Sequence, residues 1–431
     1  MKHSSFIFPE NPSICIIGLG YVGLPLVLEF SKNHKVIGFD LDDNRITSLI
    51  NGIDSSGEID LQKIDIDKNI SFTSKIEEIS SSDIYIIAVP TPISSEKIPD
   101  TRLLEKACET VGPNLEEGNG VIFESTVYPG ATEEICVPLL EKHSKLVLNK
   151  GFYVGYSPER INPGDKDRTL RDIVKITSGS CPNSASFIDS LYGEIVDAGT
   201  YSAPSIRVAE AAKVIENIQR DVNIALFNEF AMLFDKLQIS SSEVFHAAAT
   251  KWNFTRYEPG LVGGHCIGVD PYYLTFKALN EGFNPQMILA GRAVNESMSE
   301  FIAYRLHQEL QTKNNSSESN HRVLILGATF KENCKDIRNS KSFSLYEELT
   351  KLGINVDITD DLADSDSVLS RYSINLIDFE KASSYDAVII AVKHNYIIEM
   401  GIEKIRSLGS SAMLIYDLKG AFEEDTVDFR L

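Results

Sequence analysis

No apolar run in the 431 residues reaches the roughly 18 that a membrane span requires. The first residues, Met1 to Asn11, lack the basic, apolar, small-residue order of a secretory signal. Cysteines number only 6 and are scattered without metal-like pairs; Cys15, inside an apolar run, reads as a buried thiol. That pattern excludes a disulfide framework and a cysteine zinc site, predicts no metal, and fits a reduced, cytoplasmic protein. Basic residues are also scarce: 41 Lys and Arg against 62 Asp and Glu leave a formal charge of −21. A field of that sign repels nucleic acid and anionic membranes, so neither is an expected partner. Any anionic ligand must be met by local basic groups and backbone donors. A single tryptophan, Trp252, reads as interface or core packing.

The remainder, 43% hydrophobic and 24% charged, is ordinary for a globular protein, and the length suggests two or three domains. Ile14–Ile17, Val36–Phe39, Ile84–Val89, Val121–Glu124 and Phe152–Tyr156 read as strands of a parallel, doubly wound sheet. From Ile206 to Leu237 the apolar positions, among them Val208, Ala211, Ile215, Ile218, Val222, Leu226 and Phe230, fit one long amphipathic helix. A helix of that length bridges domains or packs against a partner. The polar stretch Gln311–Asn320 reads as an exposed linker. Beyond it, Val323–Leu326, Val356–Thr359, Ala387–Ala391 and Met413–Tyr416 read as strands of a second Rossmann-like unit.

Gly18-Leu19-Gly20-Tyr21-Val22-Gly23 follows the first strand and opens a helical pattern. The first glycine permits a tight turn, the second lets backbone approach a pyrophosphate, and the third lets helix and strand pack closely. The helix N-terminus then offers free N–H groups and the positive end of its dipole. Asp40, 20 residues after Gly20 at the end of the next strand, is placed to bond both ribose hydroxyls. Its charge disfavours a 2′-phosphate, so NAD is expected over NADP; Arg45 nearby softens that preference.

A second informative segment is Leu261-Val262-Gly263-Gly264-His265-Cys266-Ile267-Gly268-Val269-Asp270. The paired glycines Gly263 and Gly264 remove side chains, letting a ligand approach backbone and sulfur. Asp270 shares a face with Cys266 if the two begin a helix, and a helix N-terminus lowers a thiol pKa toward the nucleophilic thiolate. Taken alone, Cys266 reads as an inert small residue before it reads as a nucleophile, and His265 as a packing or solvent-facing histidine.

Four separated motifs are found in order: Gly-Leu-Gly-Tyr-Val-Gly, Glu124-Ser125-Thr126-Val127, Gly-Gly-His-Cys, and Gly327-Ala328-Thr329-Phe330-Lys331. In these the chain resembles the UDP-glucose/GDP-mannose dehydrogenase family. Ser157-Pro158-Glu159-Arg160-Ile161-Asn162-Pro163-Gly164, with the segment from Pro259 to Tyr273, is similar to the branch acting on UDP-N-acetylhexosamines, UDP-GlcNAc or UDP-GalNAc. The resemblance implies an α/β architecture of two Rossmann-like doubly wound domains joined by a central helical domain. Residues 1–203 would bind NAD, 204–310 would carry the long helix and the cysteine, 311–320 would link, and 321–431 would bind UDP. It implies a four-electron oxidation of a sugar 6-hydroxymethyl group to a carboxylate, feeding synthesis of a surface polysaccharide such as O-antigen or capsule, by a homodimer.

Roles carried by the resemblance fall on single residues. Cys266 is the nucleophile. Lys213 and Asn217, at i, i+4 on the long helix, match donors to a developing oxyanion; without the resemblance they read as a solvated face. Asp270 matches the carboxylate that orients or deprotonates the hydrolytic water. Thr126 and Glu159 match residues holding that water. Pro90 and Thr91, with Ser125, match the loops at the nicotinamide ribose, and Arg338 matches a cofactor-contacting arginine. Phe330 and Lys331 match the segment reaching the sugar nucleotide, and Gly263 and Gly264 line it. A family arginine supplied across the dimer has two candidates, Lys251 and Arg256. One departure stands out: the UDP-glucose branch has a second glutamate where this chain has Pro163, and an apolar residue where it has Arg160. Arg160 and Asn162 are therefore expected to select the 2-acetamido sugar; the alternative for Arg160 is an ion pair that shapes the loop. Rival readings are a UDP-glucose or UDP-N-acetylmannosamine 6-dehydrogenase, a two-electron hydroxyacid-type dehydrogenase, and a non-catalytic dinucleotide-binding regulatory protein.

Overall fold

Short strands with apolar, buried centres, flanked by helices, build both halves of the chain. The computed structural model describes residues 6–54, 59, 61, 69–160, 169–264, 266–314 and 321–431. Its backbone divides into one unit of Met1–Glu216 with Tyr272–Phe283 and another of Asn217–Pro271 with Asn284–Leu431.

In the first unit, β1 (Ile14–Ile17), β2 (Val36–Phe39), β3 (Ile70–Thr73), β4 (Ile84–Ile87), β5 (Gly120–Phe123) and β6 (Tyr153–Tyr156) form a parallel sheet ordered β3-β2-β1-β4-β5-β6. Helices α1 (Gly23–Phe30), α2 (Asp43–Ile50), α3 (Arg102–Val111), α4 (Val137–Ser144) and α5 (Pro182–Gly193) accompany it. Every residue of β1, β4, β5 and β6 is buried, which is why these segments read as unbroken apolar runs. β3 escaped the sequence reading because it is a half-buried edge strand. A parallel pair, β7 (Lys175–Thr177) and β8 (Thr200–Ser202), completes the strands of this unit. The strand order reverses between β1 and β4, so the carboxyl ends of those strands border the crevice where such sheets bind ligands.

The long helix α6 (Ile206–Leu237) runs 32 residues, the span the periodicity predicts. α7 (Ser241–Ala248), α8 (Asp270–Asn280) and α9 (Gln286–Asn314) follow. In the second unit α6 and α9 share a buried polar chain. Arg292 pairs with Asp221 at 2.6 Å, Asn295 donates to the same carboxylate at 2.8 Å, and Asn228 donates to Asn295 at 2.8 Å. Such a network fixes one register between two helices, because sliding either would strand buried donors.

A five-stranded parallel sheet closes the second unit: β9 (Arg322–Leu326), β10 (Asn355–Thr359), β11 (Tyr385–Ile390), β12 (Gly409–Asp417) and β13 (Phe429–Arg430), ordered β10-β9-β11-β12-β13. It carries α10 (Lys341–Lys351), α11 (Ser365–Tyr372), α12 (Asn395–Met400) and α13 (Ile402–Arg406). Met298, Ile302 and Leu306 of α9 pack with Phe343 and Leu345 of α10 on one face; Ile397 and Ile405 pack with Leu324 and Leu326 on the other. The expected linker begins later than the composition suggested. Gln311–Asn314 are the last turn of α9, where Thr312 donates to the Gln308 carbonyl at 2.9 Å. Polar residues on a solvent-facing helix end look like linker by composition alone. Residues 315–320 lie outside the described residues.

The two sheets start with the same device. Gly18 after β1 and Gly327 after β9 both take positive φ, 92° and 99°. The next amide donates to a carboxylate at the end of the neighbouring strand: Leu19 to Asp40 at 2.9 Å, and Ala328 to Asp360 at 2.6 Å. Asp360 also accepts from Thr329, Leu362 and Ala363, and lies 3.2 Å from Nε2 of buried His394. His394 Nδ1 accepts the Asn333 amide, which leaves Nε2 as the protonated donor. Burial pushes the Asp360 carboxyl up, but the His394 hydrogen bond and the backbone donors outweigh it and hold it below the usual carboxylate value.

Asp360→Ala strands these donors and should destabilise the protein by more than about 3 kcal/mol in chemical denaturation; an unmoved midpoint would contradict the latch. Because the folded-state pKa is depressed, the Asp360 contribution is complete above roughly pH 4 and is lost as pH falls through the lower folded value.

Candidate functional site

Three clusters hold the candidate site residues. The first is the glycine turn. A Cβ on Gly23 would lie 1.8 Å from the Gly18 carbonyl oxygen, so only glycine lets α1 start against the turn. A Cβ on Gly20 meets nothing within 4 Å, which leaves that backbone open to a phosphate. No side chain caps α1 at Val22, so the dipole end faces outward beside Leu19, Tyr21 and Val22. Asp40 is partly exposed and accepts from Leu19 and, at 3.0 Å, from Asp42. This combination fits the pyrophosphate and ribose of NAD. Arg45 turns inward: Nε and Nη2 donate to the Leu19 carbonyl at 2.9 and 2.8 Å, and Nη1 pairs with Asp54 at 2.6 Å. It braces the turn.

At the carboxyl ends of β4 and β5 the expected ribose loops are bolted together. Thr91 Oγ1 donates to the Thr126 carbonyl at 2.7 Å and Ser125 Oγ to the Val89 carbonyl at 2.6 Å. Tyr273 OH donates to the Thr91 carbonyl at 2.9 Å, and Pro90 stands exposed between.

The second cluster lies beside these loops, past β5 and β6. Glu159 is almost buried and accepts the Arg160 amide. Arg160 directs its guanidinium at the carbonyls of Ala212 (3.0 Å) and Lys213 (3.2 Å) and at the Glu216 carboxylate. This is the loop-shaping alternative for Arg160. Asn162, Pro163 and His265 lie outside the described residues. Behind Glu159, Lys175 pairs with Glu124 at 2.6 Å, and Tyr192 OH donates to Glu124 at 2.5 Å. Burial, reinforced by Glu159 and only partly offset by Lys175, pushes the Glu124 carboxyl up to about 7. Sequence reasoning quoted Glu124 within a motif and gave it no role; Lys175 and Tyr192 carried no local signal, since each reads as an ordinary strand or helix residue.

The third cluster, in the second unit, surrounds Cys266. Asn217 Nδ2 donates to Asp270 Oδ2 at 2.6 Å, and the Asp270 amide donates to the Cys266 carbonyl at 2.8 Å. Cys266 therefore sits in the turn just before α8, partly exposed, with Asp270 as the first helical residue. Both Asn217 and, one turn earlier on α6, Lys213 are buried, so they are not a solvated face.

The glycine pair does different work from that expected. A Cβ on Gly263 would fall 2.7 Å from the Asn339 carbonyl, and one on Gly264, at φ +83°, 2.7 Å from the Phe330 ring. Close backbone packing on residues 330–339, more than ligand access, demands glycine there. Lys331 accepts from Thr329 Oγ1 through its carbonyl, while Arg338 forks onto Asp336 at 2.9–3.0 Å. Upstream, Asn228 clamps Gly260 through both its N–H (2.7 Å) and its carbonyl (3.0 Å). Lys251 is exposed, Arg256 pairs with Glu258 at 2.8 Å, and Trp252 is 96% exposed. Among the described residues no group of His, Cys, Asp or Glu could hold a metal ion, and no helix is long and apolar enough to cross a membrane.

Three family models match the chain. The NAD-binding domain of the UDP-glucose/GDP-mannose dehydrogenase family matches residues 12–196, its central domain 207–297, and its UDP-binding domain 324–424. The chain is 49% identical to a UDP-N-acetyl-D-glucosamine 6-dehydrogenase of Pseudomonas aeruginosa, over 98% of this chain and 100% of that protein. It is 51% identical to a Salmonella typhi protein of the same name, over 98% and 99%. It is also similar to the solved UDP-D-ManNAc dehydrogenase of Pyrococcus horikoshii, with a TM-score of 0.86 and 30% identity over 97% and 98% of the two chains.

Asp40→Ala should weaken NAD binding by about 1.5–3 kcal/mol, the worth of charge-assisted bonds to the ribose, and narrow the gap to NADP. Calorimetric titration with both cofactors measures this, and an unchanged preference would remove Asp40 from the ribose.

Proposed function

The chain belongs to the UDP-glucose/GDP-mannose dehydrogenase family and is an NAD-dependent nucleotide-sugar dehydrogenase, and from that premise we propose that it oxidises UDP-N-acetylglucosamine at carbon 6 to the uronate. Two relatives sharing about half their residues with it bear that substrate in their names, whereas those named for UDP-N-acetyl-D-mannosamine share about a third. UDP-N-acetylgalactosamine is the nearest alternative substrate. The observation that supports the mechanism is the placement of Asn217, Asp270 and Cys266 together: Asn217 donates to the Asp270 carboxylate, and the Asp270 backbone amide donates to the Cys266 backbone carbonyl at the start of α8.

NAD, when bound at the glycine turn and Asp40, would supply the hydride acceptor for two successive oxidations. In this reading Cys266 Sγ forms a C–S bond to the aldehyde carbon left by the first step, and the carbonyl electron pair moves to oxygen. Lys213 and Asn217 stabilise that developing oxyanion, where preorganised donors do most for the rate. Loss of the second hydride leaves a thioester on Cys266. Asp270 then takes a proton from water as its oxygen adds to the thioester carbon, the C–S bond breaks, and the thiol and carboxylate are released. Thr126 and Glu159 hold the water. The net change is one alcohol and one water to one carboxylate, with two NADH and three protons formed.

Relatives such as protein CapL of Staphylococcus aureus, 48% identical over 97% of this chain, favour a place in capsule or O-antigen synthesis. The six cysteines are held as thiols, in keeping with a reduced cytoplasmic setting. The reading also makes the protein a homodimer, paired through α6. In support, Val208, Ile215, Leu226, Leu233 and Leu237 lie exposed at intervals of seven, eleven, seven and four residues, an apolar stripe of the kind that helix pairing covers.

Two measurements test the chemistry. With UDP-N-acetylglucosamine the ratio of NADH formed to sugar consumed should be two; a ratio of one with released aldehyde would defeat the four-electron reading. Cys266→Ser should lose steady turnover, since a hydroxyl without a dedicated base is a poor nucleophile; turnover near the parent rate would take Cys266 out of the mechanism.

A further inference from the structure

We propose that Lys175 is the positioning residue of Glu159, and that the second carboxylate supporting the hydrolytic step is Glu124, supplied from the end of β5 rather than from the loop of Glu159. The inference rests on the hydrolytic role given above to Glu159.

The geometry is specific. Glu124 and Glu159 follow the adjacent strands β5 and β6, at the carboxyl edge of the sheet beside Thr126. Lys175 enters from β7 and is only 2% exposed. Its ammonium meets the Glu124 carboxylate at 2.6 Å, the Pro158 carbonyl at 3.0 Å, the Ser157 carbonyl at 3.4 Å and the Glu159 carboxylate at 3.5 Å. One buried cation thus holds both the backbone before Glu159 and its side chain. Tyr192 of α5 covers Glu124 from behind, donating its hydroxyl and placing its ring 5.3 Å from the ammonium. A buried lysine has a large desolvation cost, so its place here needs a reason beyond stability. Filling the same volume with apolar side chains would pack as well and would leave Glu159 unheld.

Two carboxylates facing one ammonium make the cluster sensitive to a single proton. Burial, together with Glu159, raises the Glu124 carboxyl to about 7. The groups that face it are Lys175 from β7, Tyr192 from α5 and Glu159 from the loop after β6. Above that pH Glu124 takes the nearer place on Lys175 and leaves the Glu159 carboxylate for water. Below it a proton on Glu124 turns Lys175 toward Glu159. Thioester hydrolysis should therefore speed up as pH rises through about 7.

The test uses the full-length protein, NAD and UDP-N-acetylglucosamine, with rapid-mixing detection of NADH and intact-mass detection of the Cys266 adduct. Lys175→Met should give a normal first burst of NADH, then a steady rate lowered about tenfold or more. The thioester should accumulate, hydroxylamine should restore turnover, and the KM for NAD should not move. Lys175→Arg, which keeps the charge, should recover part of the steady rate. Glu124→Gln, which cannot titrate, should abolish the pH transition in that rate. Equal loss of burst and steady rate in Lys175→Met and Lys175→Arg, or an unaltered steady rate in both, would overturn the proposal, as would persistence of the transition in Glu124→Gln. Failure of the parent protein to form NADH with this sugar would instead overturn the substrate reading, a distinguishable result.

Discussion

A parallel strand that ends in a tight glycine turn leaves its next backbone amides pointing out of the sheet, and something must accept them. In both units the acceptor is a carboxylate at the end of the neighbouring strand: Asp40 for the amide of Leu19, Asp360 for those of Ala328 and Thr329. The glycines and the carboxylates depend on one another. Without positive φ at Gly18 or Gly327 the amides do not turn toward the acid, and without the acid they would be stranded. The first loop and the first helix of each Rossmann-like unit are set by this bond.

What differs is how completely the acid is consumed. Asp40 accepts two amides and stays partly exposed, which leaves carboxylate lone pairs for a ribose. Asp360 is buried, accepts four amides and faces His394, so its capacity is used inside the fold. The same latch leaves an open carboxylate in one unit and is used up within the fold in the other.

Around Cys266 the same economy of buried polar groups decides where the thiol stands. Asn228 grips Gly260 at one end of the segment and Asp270 holds Cys266 at the other, while Gly263 and Gly264 lie against Asn339 and Phe330. Asn228 is anchored in turn through Asn295 to Asp221 and Arg292, so the placement of the loop traces back to the α6–α9 register. A thiol held this way is ordered by packing before any ligand arrives, which in the proposed mechanism reduces the entropy lost in reaching the reacting geometry.

The sequence by itself determined the buried central strands of both sheets, the 32-residue helix, the glycine turn followed by Asp40, and the family through its four motifs. Each is a local pattern: burial on both faces makes an unbroken apolar run, and a backbone needing positive φ or close approach selects glycine at fixed spacing. Only the tertiary structure decided which distant polar groups meet. Lys175 lies 51 residues from Glu124, and Asn217 lies 53 from Asp270. Arg160 turned to Glu216 rather than outward, Arg45 to Asp54, and the glycine pair to Phe330 and Asn339. A side chain's partner is set by which strand ends and helix faces the fold brings within about 3 Å, and that proximity has no periodicity along the chain.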